Sequence, residues 1–104
     1  GYIFVKVEGK ADTIPDATDI FDHNIVFHCG QDTNLQTLDF SNLQWLALGN
    51  NNHEVQFKLD MATFLQGSSQ SIDLKTEYSS HSAAGQEVLT LKVMENFKEA
   101  LSPI

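Results

Sequence analysis

Apolar and polar side chains alternate along much of this chain, a pattern typical of strands with one buried and one solvent-facing side. The alternation is clearest over residues 53–61, where Val55, Phe57, Leu59 and Met61 share one face. The polar side chains between them fall on the opposite face, because successive residues of a strand point in opposite directions. The same periodicity predicts six further strands, at residues 2–8, 25–29, 36–40, 43–48, 71–78 and 87–93.

The remaining segments predict turns, a loop and short helical turns. The run Gly-Asn-Asn-Asn at residues 49–52 favours a tight turn, and Pro15 with four aspartates makes residues 11–24 a loop. Residues 62–65 and 95–101 each predict a helical turn. The sequence therefore predicts little helix.

Short strands with one apolar face are buried most simply when two antiparallel sheets pack together. We therefore predict an all-β fold, an antiparallel β-sandwich of about seven short strands, with a small β-barrel as the alternative. A single domain over residues 1–104 is expected, because a chain of 11.6 kDa buries roughly two thirds of its surface on folding.

Strand parity also predicts which side chains form the core. Cys29 shares a strand face with Ile25 and Phe27, so its thiol is predicted to be buried. Phe57 and Leu59 are predicted to be core residues for the same reason. Because Cys29 is the only cysteine, an intramolecular disulfide is excluded.

The charge balance excludes several classes of partner. Fourteen carboxylates and six lysines give a formal net charge of −8, and the chain has no arginine. No lysine lies between Lys10 and Lys58. Nucleic acids and anionic membranes bind basic patches, so we predict no nucleic-acid partner and no anionic membrane surface. The missing arginine also disfavours phosphorylated substrates.

Histidines at predicted strand ends suggest an alternative function, a copper-handling, cupredoxin-like metal-binding domain. Its ligands would be His53 and His81, with Met61 as a further donor. Against this interpretation, His28 and Cys29 are neighbours on one predicted strand and point to opposite faces, so they cannot easily share an ion. Our principal prediction has no metal ligand and no cofactor.

The predicted loop at residues 11–24 is rich in carboxylates, with Asp12, Asp16, Asp19 and Asp22 close together. Calcium prefers oxygen ligands from loops of this kind. However, the spacing is not that of an EF-hand, and no glycine lies inside the cluster. Capping of local turns is the competing interpretation, so calcium binding stays open at this point.

Sequence signatures of catalysis are missing. The chain has no G-x-S-x-G elbow, no H-E-x-x-H pair and no glycine-rich phosphate loop. A Ser–His–Asp set can be drawn from any chain with eight serines, four histidines and eight aspartates, so composition does not indicate a triad. We therefore predict a protein that is not an enzyme.

Aromatic residues that cannot all face one core indicate an interaction surface. We predict that this surface includes Tyr2, Phe4, Trp45 and Tyr78. The predicted function is a non-enzymatic interaction module that binds through a sheet face or an edge strand. A carbohydrate-binding module that uses Trp45 or Tyr78 is a further alternative.

The N-terminal strand is a candidate for this contact, because residues 2–7 are apolar on both faces. An uncovered strand of this kind pairs readily with a partner, so we predict a protein partner or a homodimer. Cover from the terminal segment around Phe97 is the competing interpretation. The chain begins with glycine instead of methionine. A periplasmic or extracellular location is therefore favoured over a cytoplasmic one.

Overall fold

A computed structural model describes residues 3–104. The chain contains seven strands and two α-helices over this range, in addition to a single 3-10 turn at Asp32–Asn34. In chain order they are β1 (Ile3–Ala11), β2 (His23–Gly30), β3 (Leu46–Gly49), β4 (Asn52–Glu54), β5 (Phe57–Leu59), α1 (Met61–Gln66), β6 (Ser79–Ser80), α2 (Glu87–Ala100) and β7 (Leu101–Pro103).

The strands form three small sheets. The largest has the order β1-β2-β6, in which β1 and β2 are antiparallel and β6 runs parallel to β2. The other two are the antiparallel pairs β3–β4 and β5–β7. The fold is therefore small and sheet-rich, as the alternation predicts. The all-β class, the sandwich and the alternative barrel are not confirmed, because two helices are present.

The core lies between the inner face of β2 and the two helices. Ile25, Phe27 and Cys29 point inward from β2 and pack with Phe64 of α1 and Val93 of α2. The predicted burial of Cys29 is confirmed, since its side chain is fully enclosed. Burial raises the pKa of the Cys29 thiol to about 11, because the thiolate would have no solvent around it.

The strand predicted at residues 87–93 is wrong, because this segment begins the 14-residue helix α2. Leu91, which alternation places in the core, is 39% exposed, whereas Thr90, Val93 and Met94 are buried at helical spacing. The helix α2 consists mostly of strong helix formers, namely leucine, lysine, methionine, glutamate and alanine. Neither α1 nor α2, in the described part of the chain, has the length and apolar character needed to cross a bilayer.

Two other predicted strands are also wrong. Residues 71–78 form turns around Asp73, whose carbonyl oxygen accepts the backbone N–H groups of Thr76 and Glu77. The alternation there arises because Ile72 faces the core while its polar neighbours are exposed. Residues 36–40 form no strand.

The strand predicted at residues 53–61 is divided in two, since β4 ends at Glu54 and β5 begins at Phe57. Its N-terminal part pairs with β3 and its C-terminal part with β7 at the chain end. Leu59 packs against the core as predicted, but Phe57 is 39% exposed, so its assignment to the core is wrong.

An ion pair joins α2 to the loop before β6. Lys92 Nζ lies 2.6 Å from Glu77 Oε2 and also donates to the carbonyl oxygen of Ser71. Glu77 Oε1 accepts the backbone N–H of Asp73 at 3.0 Å. These bonds, the one from the Asp73 backbone first, hold the pKa of Glu77 below its ordinary value.

Glu77 should therefore stabilise the folded chain in a pH-dependent way. Because its folded-state pKa is lowered, its contribution is complete above an unfolded-state pKa of about 4.3 and is lost as the pH falls through the folded-state value. We expect Glu77→Gln to lower the free energy of unfolding by about 1 kcal/mol at pH 7 and by less near pH 3, in urea unfolding. Asp19→Asn removes the same charge from an exposed side chain and should leave stability unchanged. Equal losses for Glu77→Gln at both pH values would contradict this account.

Candidate interaction surface

Residues 40–57 form a hairpin, here termed the arm. Its two strands, β3 and β4, pair with each other in antiparallel fashion. Gly49, Asn50 and Asn51 turn the chain at φ values of 87°, 52° and 61°. Glycine and asparagine are the residues that adopt this left-handed conformation most readily. The turn predicted at residues 49–52 is thereby confirmed.

The arm exposes large apolar side chains to solvent. Trp45 is 61% exposed, Leu46 50% and Leu48 60%. Among the described helices and strands, β4 is the element against which β3 packs most. The sequence predicts a strand at residues 43–48, and the structure forms β3 there with Leu46 and Leu48 outside the core.

An aromatic contact fixes the base of the arm. The rings of Phe40 and Phe57 lie 5.3 Å apart between centroids. Phe57 also begins β5, which pairs with β7 and so joins the arm to the body of the molecule. The arm is therefore anchored at its base while its apolar strand stays exposed.

The arm carries a single formal charge, that of Glu54 near its base, in an acidic chain. No residue between Asp39 and Glu54 carries a formal charge, whereas the whole chain has a net charge of −8. Its polar groups over this stretch are serine, asparagine and glutamine side chains and His53. Like this stretch, the buried centre of a protein interface is poor in charged residues and contains aromatic side chains.

The shape of the molecule reflects this exposed arm. Its radius of gyration is 16.3 Å, against about 13 Å for a compact chain of this length. Its accessible surface is 7231 Å², about 1,400 Å² more than the surface-scaling rule gives for its mass. Residues 44–53 are exposed throughout, as are residues 14–21 in the long loop.

The other described residues predicted for an interaction surface, Phe4 and Tyr78, lie in different segments from Trp45. Tyr78 belongs to the segment that enters β6, and its ring stacks on His23 at a centroid distance of 4.3 Å. Phe4 lies on β1 and is half-buried. Tyr2 lies outside the described residues. Trp45 precedes β3 and Tyr78 precedes β6, which belong to different sheets, so these two residues do not form the aromatic row that would favour a carbohydrate-binding module.

The residues proposed as metal ligands are also separated. His53 lies on β4 in the arm, while His81 follows β6, where its ring meets His28 edge-on at a centroid distance of 5.0 Å. Met61 begins α1. Over residues 3–104 no group of three or more histidine, cysteine, aspartate or glutamate side chains is arranged to hold a metal ion.

The carboxylates of the loop at residues 11–24 bind groups of the same loop. Asp22 accepts hydrogen bonds from the backbone N–H and the hydroxyl of Thr13. Asp16 accepts in the same way from Thr18, at 3.0 and 2.7 Å. These bonds, with the side-chain one first in each case, lower the pKa values of both carboxyls. The arrangement matches the turn-capping interpretation.

A polar cluster covers the outer face of the largest sheet. His28 Nε2 lies 2.7 Å from Glu8 Oε1, and Lys6 Nζ lies 3.4 Å from the same oxygen. The bond from His28 is the main reason that the pKa of Glu8 is lowered. Cross-strand pairing of Lys6 with His28 brings these groups together, a long-range register that local periodicity does not reveal.

An open pocket of about 180 Å³ lies beside the inner face of β1. Gly9 contributes no side chain there, and Phe27, Phe64 and Leu74 line its apolar part. The Glu8 carboxylate is engaged with His28 on the opposite face of the strand. The pocket is therefore mainly an apolar gap in the packing, with Glu8 and Lys10 of β1 also among its lining residues.

The most distinctive exposed feature is thus the arm, with its exposed apolar strand β3. Its signal in the sequence is the uncharged run from Phe40 to His53, interrupted by a strong turn. Comparison of the chain with protein-family models, with curated proteins and with solved structures finds no match.

Proposed function

We propose that this chain is a non-catalytic interaction module that binds a protein partner through the arm. The observation that carries the proposal is the exposure of Trp45, Leu46 and Leu48 on one uncharged segment. Tryptophan contributes disproportionately to binding at protein interfaces, and exposed apolar patches rimmed by polar groups mark such interfaces.

The cost of leaving these side chains in water supports the same proposal. Transfer of apolar surface out of water is favourable by about 25 cal/mol per Å². A two-stranded hairpin is also only marginally stable by itself in water. A partner that covers the arm would therefore stabilise both the apolar side chains and the hairpin.

The arm makes this proposal testable by a capture experiment. The intact chain is immobilised and exposed to a lysate of its source organism, and retained proteins are identified by mass spectrometry. We expect the variant Trp45→Ser/Leu48→Ser to retain at least about ten-fold less of a protein that the wild type captures. A ten-fold loss of affinity corresponds to about 1.4 kcal/mol of binding free energy.

The matched control is Phe21→Ser/Val88→Ser. These two side chains are 58% and 82% exposed and lie outside the arm, so the control removes similar apolar surface elsewhere. It should retain the same protein as the wild type. Identical capture by the wild type and the arm variant would show that the arm is not the binding surface.

A further inference from the structure

We infer that the partner of the arm is a second copy of this chain, which pairs its β3 with β3 across a two-fold axis. The inference rests on the proposed interaction role of the arm and specifies its partner. The two hairpins would join in a four-stranded antiparallel sheet of order β4-β3-β3-β4. The argument depends on the strand edges, the charge distribution and the exposed area.

The outer edge of β3 is free to pair. Its other edge is bonded to β4, and no further strand in residues 3–104 joins this sheet. Exposed edges are usually protected by charged residues or proline. The sequence Leu46-Ala47-Leu48 has neither.

The alternative edge strands of three or more residues are protected in this way, β5 by Lys58 and β7 by Pro103, and β6 is only two residues long. The outer edge of β4 carries Glu54, so symmetric pairing of two β4 strands would bring like charges together. β1, the edge strand of the largest sheet, contains Lys6, Glu8 and Lys10. Self-pairing through β3 therefore meets the least opposition.

The charge distribution points to the same place. Two copies with a net charge of −8 each repel one another over most of their surfaces. The stretch between Asp39 and Glu54 has no formal charge, so two molecules can approach there with the least repulsion. A two-fold axis at Ala47 sets Leu46 of each copy opposite Leu48 of the other, on one face of the joined sheet.

The molecule exposes more surface than a compact chain of its mass, and the arm contributes to it. A standard interface buries about 800 Å² on each partner. The chain exposes 7231 Å², about 1,400 Å² beyond what the scaling rule gives for its mass. Part of this additional surface lies on the arm and part on the exposed loop at residues 14–21, and cover by a second arm would remove the arm's share.

Sedimentation equilibrium of the intact chain tests the inference, with the emission of Trp45 as a second readout. Trp45 is the only tryptophan, so its emission reports on the arm alone. We expect a monomer–dimer equilibrium with a dissociation constant in the range of about 1–100 µM, as for modest interfaces. Emission should shift to shorter wavelength over the same concentration range.

Leu48→Glu is the disrupting variant, and Val88→Glu is its control. Both add one negative charge at an exposed apolar position, 60% and 82% exposed respectively, but only the first lies on β3. Leu48→Glu should weaken dimerisation at least about ten-fold and abolish the emission shift. Val88→Glu should behave like the wild type.

A wild type that stays monomeric at about ten times the weakest expected dissociation constant would overturn self-association. The capture experiment then separates the two ideas, because arm-dependent retention of a different protein preserves the proposed function. A dimer that Leu48→Glu leaves intact would overturn the β3 interface. Capture that the arm variant does not change would overturn the proposed function itself.

Discussion

Replacing Phe27 with alanine should lower the free energy of unfolding by about 3–5 kcal/mol. The ring is fully buried at the centre of β2, and it meets the ring of Phe64 edge-on at a centroid distance of 6.4 Å. Its removal leaves a cavity between the sheet and α1 that rigid neighbours fill only in part. A domain of this size has only about 5–15 kcal/mol of stability, so this single change removes a large share of it.

Urea unfolding followed by circular dichroism measures this effect, with Phe57→Ala as the comparison. Phe57 is 39% exposed and has the ring of Phe40 as its aromatic contact, so its loss should cost only about 1 kcal/mol. Sequence alternation assigns both Phe27 and Phe57 to the core, and so predicts similar costs for the two substitutions. Equal costs for the two substitutions would contradict the burial described above.

Gly67→Ala should destabilise the fold by about 3 kcal/mol or more, from two causes that add. Gly67 ends α1 at φ 63° and ψ 175°, a conformation that is essentially restricted to glycine and costs other residues about 1–3 kcal/mol. A Cβ atom there would also clash with the carbonyl oxygen of Gln70 and lie 2.8 Å from Asn96 Oδ1. The Gln70 oxygen is part of the backbone and accepts a bond from the Asn96 amide, so the turn would have to open.

Substitutions at two other glycines distinguish the cost of the backbone conformation from the cost of the steric clash. Gly49 has φ 87°, but a Cβ added to it meets only open space among the described residues, so Gly49→Ala carries the conformational cost alone, about 1–2 kcal/mol. Gly9 lies in β1 with no positive φ and no described atom within 4 Å of an added Cβ, so Gly9→Ala should be close to neutral. Thermal or urea unfolding that ranks Gly67→Ala level with Gly49→Ala would show that the turn accommodates the extra methyl group.

The core and the arm differ in how their apolar side chains are exposed. Apolar side chains of β2, α1 and α2 are enclosed, while those of β3 remain exposed. The negative charge lies outside the stretch between Asp39 and Glu54. This separation is what an interaction module needs, because charge keeps the body of the molecule apart from other acidic molecules and leaves one neutral surface for binding.

Local pattern was sufficient for the elements that short-range chemistry dictates. β1 and β2 follow the alternation, α1 includes the predicted helical turn at residues 62–65, and the asparagine-rich turn closes the hairpin. Burial of Cys29 follows from its parity with Phe27 on one strand. In each case the pattern within a few residues was enough to predict the outcome, although α1 and α2 complete the burial of Cys29.

Tertiary structure decided the other elements, because the same alternation in a short segment is compatible with either a strand or a helix, and with different packing neighbours. Residues 87–93 alternate like a strand, but α2 forms because its buried side at Thr90, Val93 and Met94 meets the core. Phe57 lies outside the core in a strand that pairs with β7, more than 40 residues along the chain. The exposure of Leu46 and Leu48 likewise depends on β3 having only β4 beside it among the described strands, which no local pattern specifies. The sequence by itself determined which side chains are apolar and where the charge lies, and long-range packing decided which of those side chains form the core and which form the arm.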